Sequence, residues 1–439
     1  MSSERLEELA RRIDDRTARI GVIGLGYVGL PLAIEFAKAG FEVVGFDVDV
    51  KKVRDIERGV SYIGDVSTED LQAMVKAGRM QATEDFDKLH GVQIVNICVP
   101  TPLTRTKDPD ISFMARAVEQ IKERLHPGTL VILGSTTYPG TTDELFVPEL
   151  EQTGLKIGRD FALAFAPERI DPANQKFQVR NVPKVVGGAT PLCTDLACRV
   201  YDTIFDETVP VSSTRAAEMV KLLENTFRAI NIGLANEVAL MCERLDLDVW
   251  EVIEAAATKP YGFMKFLPGP GLGGHCIPVD PSYLSWKLKS LNFSARFIEL
   301  ATEINSGMPE HVADRIAELL NEDRLAVNGS RILILGVAYK KDVGDMRESP
   351  AIDVIGTLAR RGAEIAYHDP YVDECEIDGV LYKNSDLTDE AIAAADIAVI
   401  LTDHTTVDYA RLAEKGRRIF DSRNATQGLT AHREKITKL

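Results

Sequence analysis

Arg19-Ile20-Gly21-Val22-Ile23-Gly24-Leu25-Gly26-Tyr27-Val28-Gly29-Leu30-Pro31 reads as a short buried strand, a GxGxxG turn and the start of a helix that runs to about Lys38. A second strand, Glu42 to Phe46, ends in Asp47. Together they make a βαβ unit suited to a dinucleotide. Gly24, Gly26 and Gly29, with Tyr27 and Val28 between them, permit the tight turn and the close approach of a pyrophosphate, the helix N-terminus faces its charge, and Asp47 takes a ribose hydroxyl. A carboxylate at that place favours NAD over NADP, because it accepts from the 2′-hydroxyl and repels a 2′-phosphate. Lys52 is a cation that can contact the cofactor and keeps NADP from being excluded; it reads equally well as a solvated helix lysine.

Further apolar runs end in polar loops: Gln93 to Val99 in Pro100-Thr101-Pro102, Leu130 to Gly134 in Ser135-Thr136-Thr137, and Phe161 to Ala166 in Pro167-Glu168-Arg169. Ligands of such sheets bind at the carboxyl ends of the strands, which puts Thr101, Ser135, Thr136 and Glu168 at the site. For each hydroxyl, a loop cap is an equally good reading. From Ser212 the pattern turns helical, and Lys221 and Asn225, four apart, share one helical face. Aimed into a cleft, such a pair would hold a developing oxyanion; taken alone it is more often a solvated face.

Trp250 to Ala257 and the stretch from Pro281 to about Leu320 also read as helical, so that a helical domain links two α/β domains. The second α/β pattern opens at Arg331-Ile332-Leu333-Ile334-Leu335-Gly336, with strands expected at Glu364 to Tyr367, Asp396 to Leu401 and Arg418 to Phe420. Its first turn, Val337-Ala338-Tyr339-Lys340-Lys341, lacks the GxGxxG glycines. That fits a nucleotide other than a dinucleotide, with Lys340 near its phosphates. The expected architecture is α/β: two Rossmann-like doubly wound domains, residues 1–211 and 321–439, joined by a central helical domain, 212–320.

The reactive stretch lies in the helical part: Gly269-Pro270-Gly271-Leu272-Gly273-Gly274-His275-Cys276-Ile277-Pro278-Val279-Asp280-Pro281. Glycines crowded around one cysteine allow backbone to approach a ligand closely. Asp280-Pro281 opens an expected helix, Ser282 to Ser290, with Asp280 as its N-cap. A thiol just upstream of a helix N-terminus can be lowered in pKa. An isolated cysteine is more often buried and structural; the glycine cluster, the cap and the dinucleotide motif favour a nucleophile.

At 439 residues the chain is long enough for two or three domains, and 45% hydrophobic with 27% charged residues is ordinary for a globular protein. A net charge of −16 argues against sequence-independent nucleic-acid binding, so an anionic ligand must meet a local cluster of Lys and Arg. Six scattered cysteines without metal-ligand spacing suggest reduced thiols in the cytoplasm and no metal site. Leu6, Leu9 and Ile13 line one face of a charged N-terminal helix, which is neither a signal peptide nor an anchor, and no apolar run is long enough to cross a bilayer.

The chain resembles the UDP-glucose/GDP-mannose dehydrogenases over nearly all of its length after the N-terminal extension. The motifs, in order, are Gly24 to Pro31, Val99-Pro100-Thr101-Pro102, Ser135-Thr136, Pro167-Glu168-Arg169, Lys221-Leu222-Leu223-Glu224-Asn225, Gly273-Gly274-His275-Cys276, and Tyr339-Lys340-Lys341 with Asp345-Met346-Arg347-Glu348-Ser349-Pro350. The resemblance implies oxidation of a nucleotide-sugar C6 hydroxyl to a carboxylate, with two hydrides passed to two NAD molecules. It makes Cys276 the nucleophile, which captures the aldehyde as a thiohemiacetal whose oxidation gives a thioester that water hydrolyses. It also implies that Lys221 and Asn225 steady the oxygen at C6, that Glu168 and Asp280 are the acid/base carboxylates, and that Thr136 helps position the hydrolytic water. Thr101, Ser135 and Thr136 are expected beside the cofactor, which Arg347 reaches from the C-terminal domain. Lys340 and Arg423 are expected to hold the nucleotide sugar, along with Arg169, Gly271 and Gly273. The helix from Ser212 resembles the family's dimer core, so a homodimer or higher homo-oligomer is expected.

Two departures bear on the sugar. UDP-glucose members carry an arginine shortly before the cysteine loop and Gly-Phe-Gly-Gly-Ser-Cys within it; here stand Lys259-Pro260-Tyr261-Gly262-Phe263 and Gly271-Leu272-Gly273-Gly274-His275-Cys276. The latter form resembles the branch acting on UDP-N-acetylhexosamines, and the former its UDP-N-acetylglucosamine 6-dehydrogenases, which implies a role in surface polysaccharide synthesis. UDP-N-acetylmannosamine and UDP-glucose are the alternatives. His275 reads as a shape and hydrogen-bond residue, with activation of Cys276 as its other role. Two other classes compete: a silent nucleotide-sugar/NAD sensor, which loss of Cys276, Lys221 or Asp280 would favour, and a single-hydride alcohol dehydrogenase, which needs neither the cysteine nor a second nucleotide domain.

Overall fold

The structure, a computed structural model, describes residues 2–104, 106, 108–169, 179–274 and 276–439. They pack into two compact units, one of residues up to Glu224 with Ser282–Asn292, the other of Asn225–Pro281 with Phe293–Leu439.

The first unit runs α1 (Ser2–Asp14), β1 (Arg19–Ile23), α2 (Gly29–Lys38), β2 (Glu42–Phe46), α3 (Val50–Glu57), α4 (Thr68–Lys76), β3 (Met80–Thr83), β4 (Ile94–Ile97), α5 (Ser112–Arg124), β5 (Leu130–Leu133), α6 (Val147–Glu151), β6 (Ala162–Phe165), β7 (Lys184–Gly188), α7 (Pro191–Tyr201) and β8 (Thr208–Val211). Its strands form one sheet in the order β3-β2-β1-β4-β5-β6-β7-β8, parallel except where β7 meets β6. Strands β4, β5 and β6 are buried at every residue, as expected of parallel strands covered on both faces. Strand order reverses between β1 and β4, the place where doubly wound sheets open a crevice for a ligand. Leu6, Leu9 and Ile13 of α1 enter the core of this unit, so the N-terminal extension is part of the fold.

Helices α8 (Thr214–Arg244) and α10 (Asp280–Lys289) contribute residues to both units. The second unit adds α9 (Val249–Ala257), α11 (Arg296–Glu322), β9 (Arg331–Leu335), α12 (Pro350–Arg360), β10 (Glu364–His368), β11 (Glu374–Ile377), β12 (Val380–Lys383), α13 (Asp389–Ala394), β13 (Ile397–Ile400), α14 (Tyr409–Lys415), β14 (Ile419–Asp421) and β15 (Ile436–Lys438). Its parallel sheet has the order β10-β9-β13-β14-β15, beside a two-stranded hairpin, β11 with β12.

The fold is thus α/β with one mainly parallel and one parallel sheet and helical segments between them in the chain. Strands β3, β7, β8 and β15 and the hairpin were not among the expected elements. Each is three to five residues long, and β7 and β8 mix a polar residue with glycine or proline, so a periodicity reading has little to work on. Several boundaries shift by a residue or two, and the helical stretch expected from Pro281 to about Leu320 is two helices, α10 and α11; α10 begins at Asp280, two residues before Ser282, so Asp280 lies inside the first turn of the helix.

Candidate active site

In the first unit the glycine turn has the geometry a dinucleotide needs. Gly24 has φ +90°, and a Cβ on it would lie 2.5 Å from Cys98 O. A Cβ on Gly29 would lie 1.8 Å from Gly24 O, so these two glycines are required by the turn itself. Gly26 is different: a Cβ there meets nothing of the protein within 4 Å. That leaves the space over Gly26 open, the room that close approach of a pyrophosphate requires. No acidic residue stands in the first turn of α2 to oppose an anion at its N-terminus. Asp47 is buried, with Oδ2 accepting from Leu25 N at 2.8 Å and Oδ1 from Asp49 N at 2.9 Å. Lys52 Nζ stands 3.4 Å from Oδ2, so its nearest charge is Asp47. Tyr62, which sequence reading missed, donates its hydroxyl to Leu25 O at 2.7 Å and props the turn. These residues fit NAD. Cys98, next to the turn, is no rival nucleophile, since burial pushes its thiol up to about 12.

The polar loops lie at the carboxyl ends of β4, β5 and β6, as expected. Thr101 and Ser135 are buried, and Ser135 Oγ donates to Val99 O at 2.9 Å, the hydrogen bond of a loop cap. Thr136 is half-buried. Glu168 Oε2 pairs with Lys184 Nζ at 3.0 Å, and its Oε1 accepts from Arg169 N at 2.8 Å. The Lys184 side chain is only 3% exposed. Its ammonium also lies 5.0 Å from the Tyr201 ring and 5.2 Å from that of Phe205, two further contacts that hold the charge opposite Glu168. Arg169 is engaged by Glu224 and donates to Pro183 O at 2.6 Å, which ties the loop to α8.

Glu218, one turn before Lys221 on α8, is another residue the sequence did not single out. It is buried and accepts from Thr142 N at 2.9 Å, Thr142 Oγ1 at 2.7 Å and Gly140 N at 2.5 Å. Burial raises its pKa despite those bonds. The clasp fixes the segment that follows Ser135-Thr136 onto the helix that carries Lys221. Lys221 itself is 7% exposed, so it is not the solvated lysine of the bland reading; among the described residues its ammonium has no hydrogen-bond or ion-pair partner.

In the second unit, Asn225 and Asp280 are both buried and bonded, Nδ2 to Oδ2, at 2.5 Å. Asp280 N donates to Cys276 O at 2.8 Å, which closes the turn between the cysteine and α10, and Cys276 is exposed. His275 lies outside the described residues. The glycines of this loop are explained by packing as much as by any ligand. Gly271 has φ +142°, and a Cβ on Gly273 would fall 2.8 Å from Tyr339 Cβ and 2.9 Å from Pro350 Cδ. Gly274 N donates to Arg347 O at 3.3 Å, and a Cβ on Gly269 would fall 2.5 Å from an Arg423 nitrogen. Gly269 N donates at 2.9 Å to Asn236 Oδ1 within a buried relay, Asn236 to Asn305 at 2.8 Å and Asn305 to Ala229 O at 3.1 Å.

The cysteine loop is thereby seated on the Tyr339 and Glu348-Pro350 motif and against Arg423. Arg347 forks onto Asp345, with Nη2 to Oδ2 at 2.6 Å, and Lys340 is half-buried in the turn after β9. Gly24, Gly26, Tyr27, Val28, Gly29, Asp47, Lys52, Thr101, Ser135, Thr136, Glu168, Arg169 and Lys221 belong to the first unit; Asn225, Gly271, Gly273, Cys276, Asp280, Lys340, Arg347 and Arg423 belong to the second. Among the described residues no group of His, Cys, Asp and Glu is placed to hold a metal ion, and no helix is long and apolar enough to cross a membrane.

Residues 18–205 match the NAD binding domain of the UDP-glucose/GDP-mannose dehydrogenase family, residues 215–307 its central domain and residues 333–428 its UDP binding domain. The chain is 36% identical over 356 residues to a UDP-N-acetyl-D-glucosamine 6-dehydrogenase of Pseudomonas aeruginosa, covering 81% of this chain and 83% of that one. It is 35% identical over 412 residues to a UDP-N-acetyl-D-mannosamine dehydrogenase of Pyrococcus horikoshii, covering 92% and 95%. A solved UDP-N-acetyl-D-mannosamine dehydrogenase structure from Pyrococcus horikoshii superposes with a TM-score of 0.87 at 34% identity, covering 96% of this chain and 98% of that one. An NDP-N-acetyl-D-galactosaminuronic acid dehydrogenase from Methanosarcina mazei superposes with a TM-score of 0.82 at 31% identity, covering 100% and 97%. With three successive family domains spanning most of its length and relatives matched nearly end to end, the chain belongs to the UDP-glucose/GDP-mannose dehydrogenase family and is an NAD-dependent oxidoreductase of nucleotide sugars.

Proposed function

We propose that the protein oxidises the C6 hydroxyl of UDP-N-acetylglucosamine to the carboxylate of UDP-N-acetylglucosaminuronate through a covalent intermediate on Cys276. The observation that carries the reading is the seating of the cysteine loop. Its glycines pack against Tyr339, Pro350 and Arg423, so the reactive thiol and the cations proposed for the nucleotide belong to one packed unit.

NAD, when bound, accepts the hydride that leaves C6 in each of the two oxidations. Gly24, Gly26, Gly29 and the α2 N-terminus hold its pyrophosphate, and Asp47 a ribose, with Tyr27, Val28, Lys52, Thr101, Ser135 and Arg347 around it. Lys221 and Asn225 bind the C6 oxygen and stabilise the negative charge it gains. Cys276 Sγ adds to the aldehyde carbon, and loss of the second hydride from that carbon leaves a thioester. Water, oriented by Thr136 with Glu168 or Asp280 as base, then breaks the C–S bond and releases the carboxylate and the thiol. Lys340, Arg423 and Arg169, with the loop backbone at Gly271 and Gly273, hold the UDP-sugar.

Domains of residues 1–211, 212–320 and 321–439 are part of this proposal, as is a homodimer. Leu223, Phe227, Leu234 and Met241 form an exposed apolar stripe along α8, with Leu245 exposed just past its end, which supports pairing of two copies there. A cytoplasmic location accords with six cysteines of which none forms a disulfide. UDP-N-acetylmannosamine is the second reading, favoured by the full-length match to the Pyrococcus horikoshii enzyme. Initial rates of NADH formation with UDP-N-acetylglucosamine, UDP-N-acetylmannosamine, UDP-N-acetylgalactosamine and UDP-glucose test the choice. Preference for the first supports the reading and preference for any other overturns it.

A further inference from the structure

The two Rossmann sheets of this chain can be laid over each other residue by residue. In the first, Ile23 of β1 pairs with Phe46 of β2 and with Ile97 of β4; in the second, Leu335 of β9 pairs with His368 of β10 and Ile400 of β13. Gly24 N donates to Phe46 O at 2.8 Å and Gly336 N to His368 O at 2.9 Å; both glycines have positive φ, +90° and +81°. By that register Leu25 and Gly26 correspond to Val337 and Ala338, and Asp47 corresponds to Asp369. Cys98 N donates to Ile23 O and Leu401 N to Leu335 O, so Thr101 corresponds to His404.

An acid stands at the same register position in the second domain, with a histidine against it. Asp369 and His404 are both fully buried, with Nε2 3.0 Å from Oδ2. The same oxygen accepts from Val337 N at 2.8 Å and Ala338 N at 3.1 Å, while Oδ1 accepts from Tyr371 N at 2.9 Å. His404 Nδ1 accepts from Asp342 N at 3.0 Å, which leaves the ring proton on Nε2, pointed at the acid. Asp47 and Asp369 accept alike from the amide after the turn glycine and from the amide two residues on; Asp369 takes the His404 ring and the Ala338 amide in addition, on the oxygen that in Asp47 meets only Leu25 N and Lys52. Ala338 also places a Cβ where Gly26 leaves the approach open.

His404 has a second effect through its other nitrogen. The backbone on either side of Lys340 is pinned: at Ala338 by Asp369 and by Thr402 Oγ1, which donates to Ala338 O at 2.5 Å, and at Asp342 by His404. Asp342 has φ +60°, a conformation that a non-glycine residue keeps only when it is held. Thr405 holds it too, through N at 2.9 Å and Oγ1 at 3.0 Å to the Asp342 carboxylate.

We propose that His404 is the positioning residue that makes the C-terminal Rossmann domain a nucleoside-diphosphate site rather than a dinucleotide site: it occupies the ribose acid and fixes the loop that presents Lys340 to the phosphates. The inference rests on the reading above that Lys340 binds the UDP phosphates.

Calorimetric titration of UDP into the full-length protein, with steady-state kinetics, tests it. His404→Ala weakens UDP at least tenfold and raises KM for the UDP-sugar by a similar factor, while kcat at saturation and KM for NAD stay within twofold. His404→Gln, which keeps an N–H for Asp369, recovers UDP affinity to within threefold of the parent. Thr405→Val loosens the same loop without touching the buried pair and weakens UDP two- to fivefold; it decides the matter if His404→Ala does not fold. Lys340→Ala separates the two readings. If it binds UDP like the parent, the phosphate assignment fails and this role for His404 with it. If it weakens UDP while His404→Ala and Thr405→Val both bind within twofold of the parent, only the inference is overturned.

Discussion

Asn225 Nδ2 donates to Asp280 Oδ2 at 2.5 Å between two buried side chains, joining α8 to the first residue of α10, four residues after Cys276. The bond fixes the amide that is proposed to bind the C6 oxygen and the carboxylate proposed to act on water, so each orients the other. Asn225→Ala removes an oxyanion donor and leaves Asp280 without that partner. It should lower kcat by about 10²–10³, with little change in KM for NAD, measured by initial NADH formation.

Gly26 and Gly29 separate the needs of the cofactor from the needs of the fold. Gly26→Ala introduces a methyl group that meets nothing of the protein, so its thermal midpoint should stay at the parent value while NAD binding, followed by fluorescence titration, is lost or severely weakened. Gly29→Ala forces a Cβ to within 1.8 Å of Gly24 O and should destabilise the fold itself. A Gly26→Ala protein that binds NAD normally contradicts the placement of the pyrophosphate.

Asp47 is the charge proposed to select the cofactor. Asp47→Asn gives up a charge-assisted hydrogen bond of about 1.5–3 kcal/mol, roughly 10- to 150-fold in affinity. KM for NAD should rise accordingly and discrimination against NADP should fall, with KM for the UDP-sugar unchanged. Equal losses for both substrates would point to damage beyond the ribose contact.

Asp369 makes a prediction in pH. Burial by itself would raise its pKa, but hydrogen bonds from His404 and from the amides of Tyr371 and Val337 outweigh that and hold it below the ordinary carboxylate value. A carboxylate depressed in the folded state stabilises the fold above its unfolded pKa, about 3.9, and that contribution disappears as pH falls through the folded value. Asp369→Asn should therefore cost about 1–3 kcal/mol at neutral pH, and the difference from the parent should shrink as pH drops below about 4. Urea unfolding at a series of pH values measures it.

Much of this was legible in the sequence because the deciding residues sit in contiguous motifs. Gly24, Gly26 and Gly29 follow one strand at fixed spacing and Asp47 ends the next, so one βαβ unit specifies them all. Lys221 and Asn225 could be paired by helical spacing, and Cys276 and Asp280 by the loop they share. What could not be read were partners brought from elsewhere in the chain. Lys184 faces Glu168 from a strand whose Val-Val-Gly-Gly run gives no clear period, and Glu218 reaches Gly140 and Thr142 across 76 to 78 residues. Asp369 and His404, 35 residues apart, carry no local mark of their pairing. The glycines of the cysteine loop were read as room for a ligand, and their closest neighbours are Tyr339, Pro350 and Arg423, contacts that only the packed unit reveals.

The central claim is a four-electron oxidation through Cys276, and NADH yield per sugar tests it most directly. With limiting UDP-N-acetylglucosamine and excess NAD, the parent protein should release two NADH for each sugar consumed. Cys276→Ser should stop the sequence before the carboxylate forms, leaving the sugar unconverted to acid. One NADH per sugar in the parent, or two from Cys276→Ser at the parent rate, would contradict the covalent mechanism and leave a simple alcohol oxidation in its place.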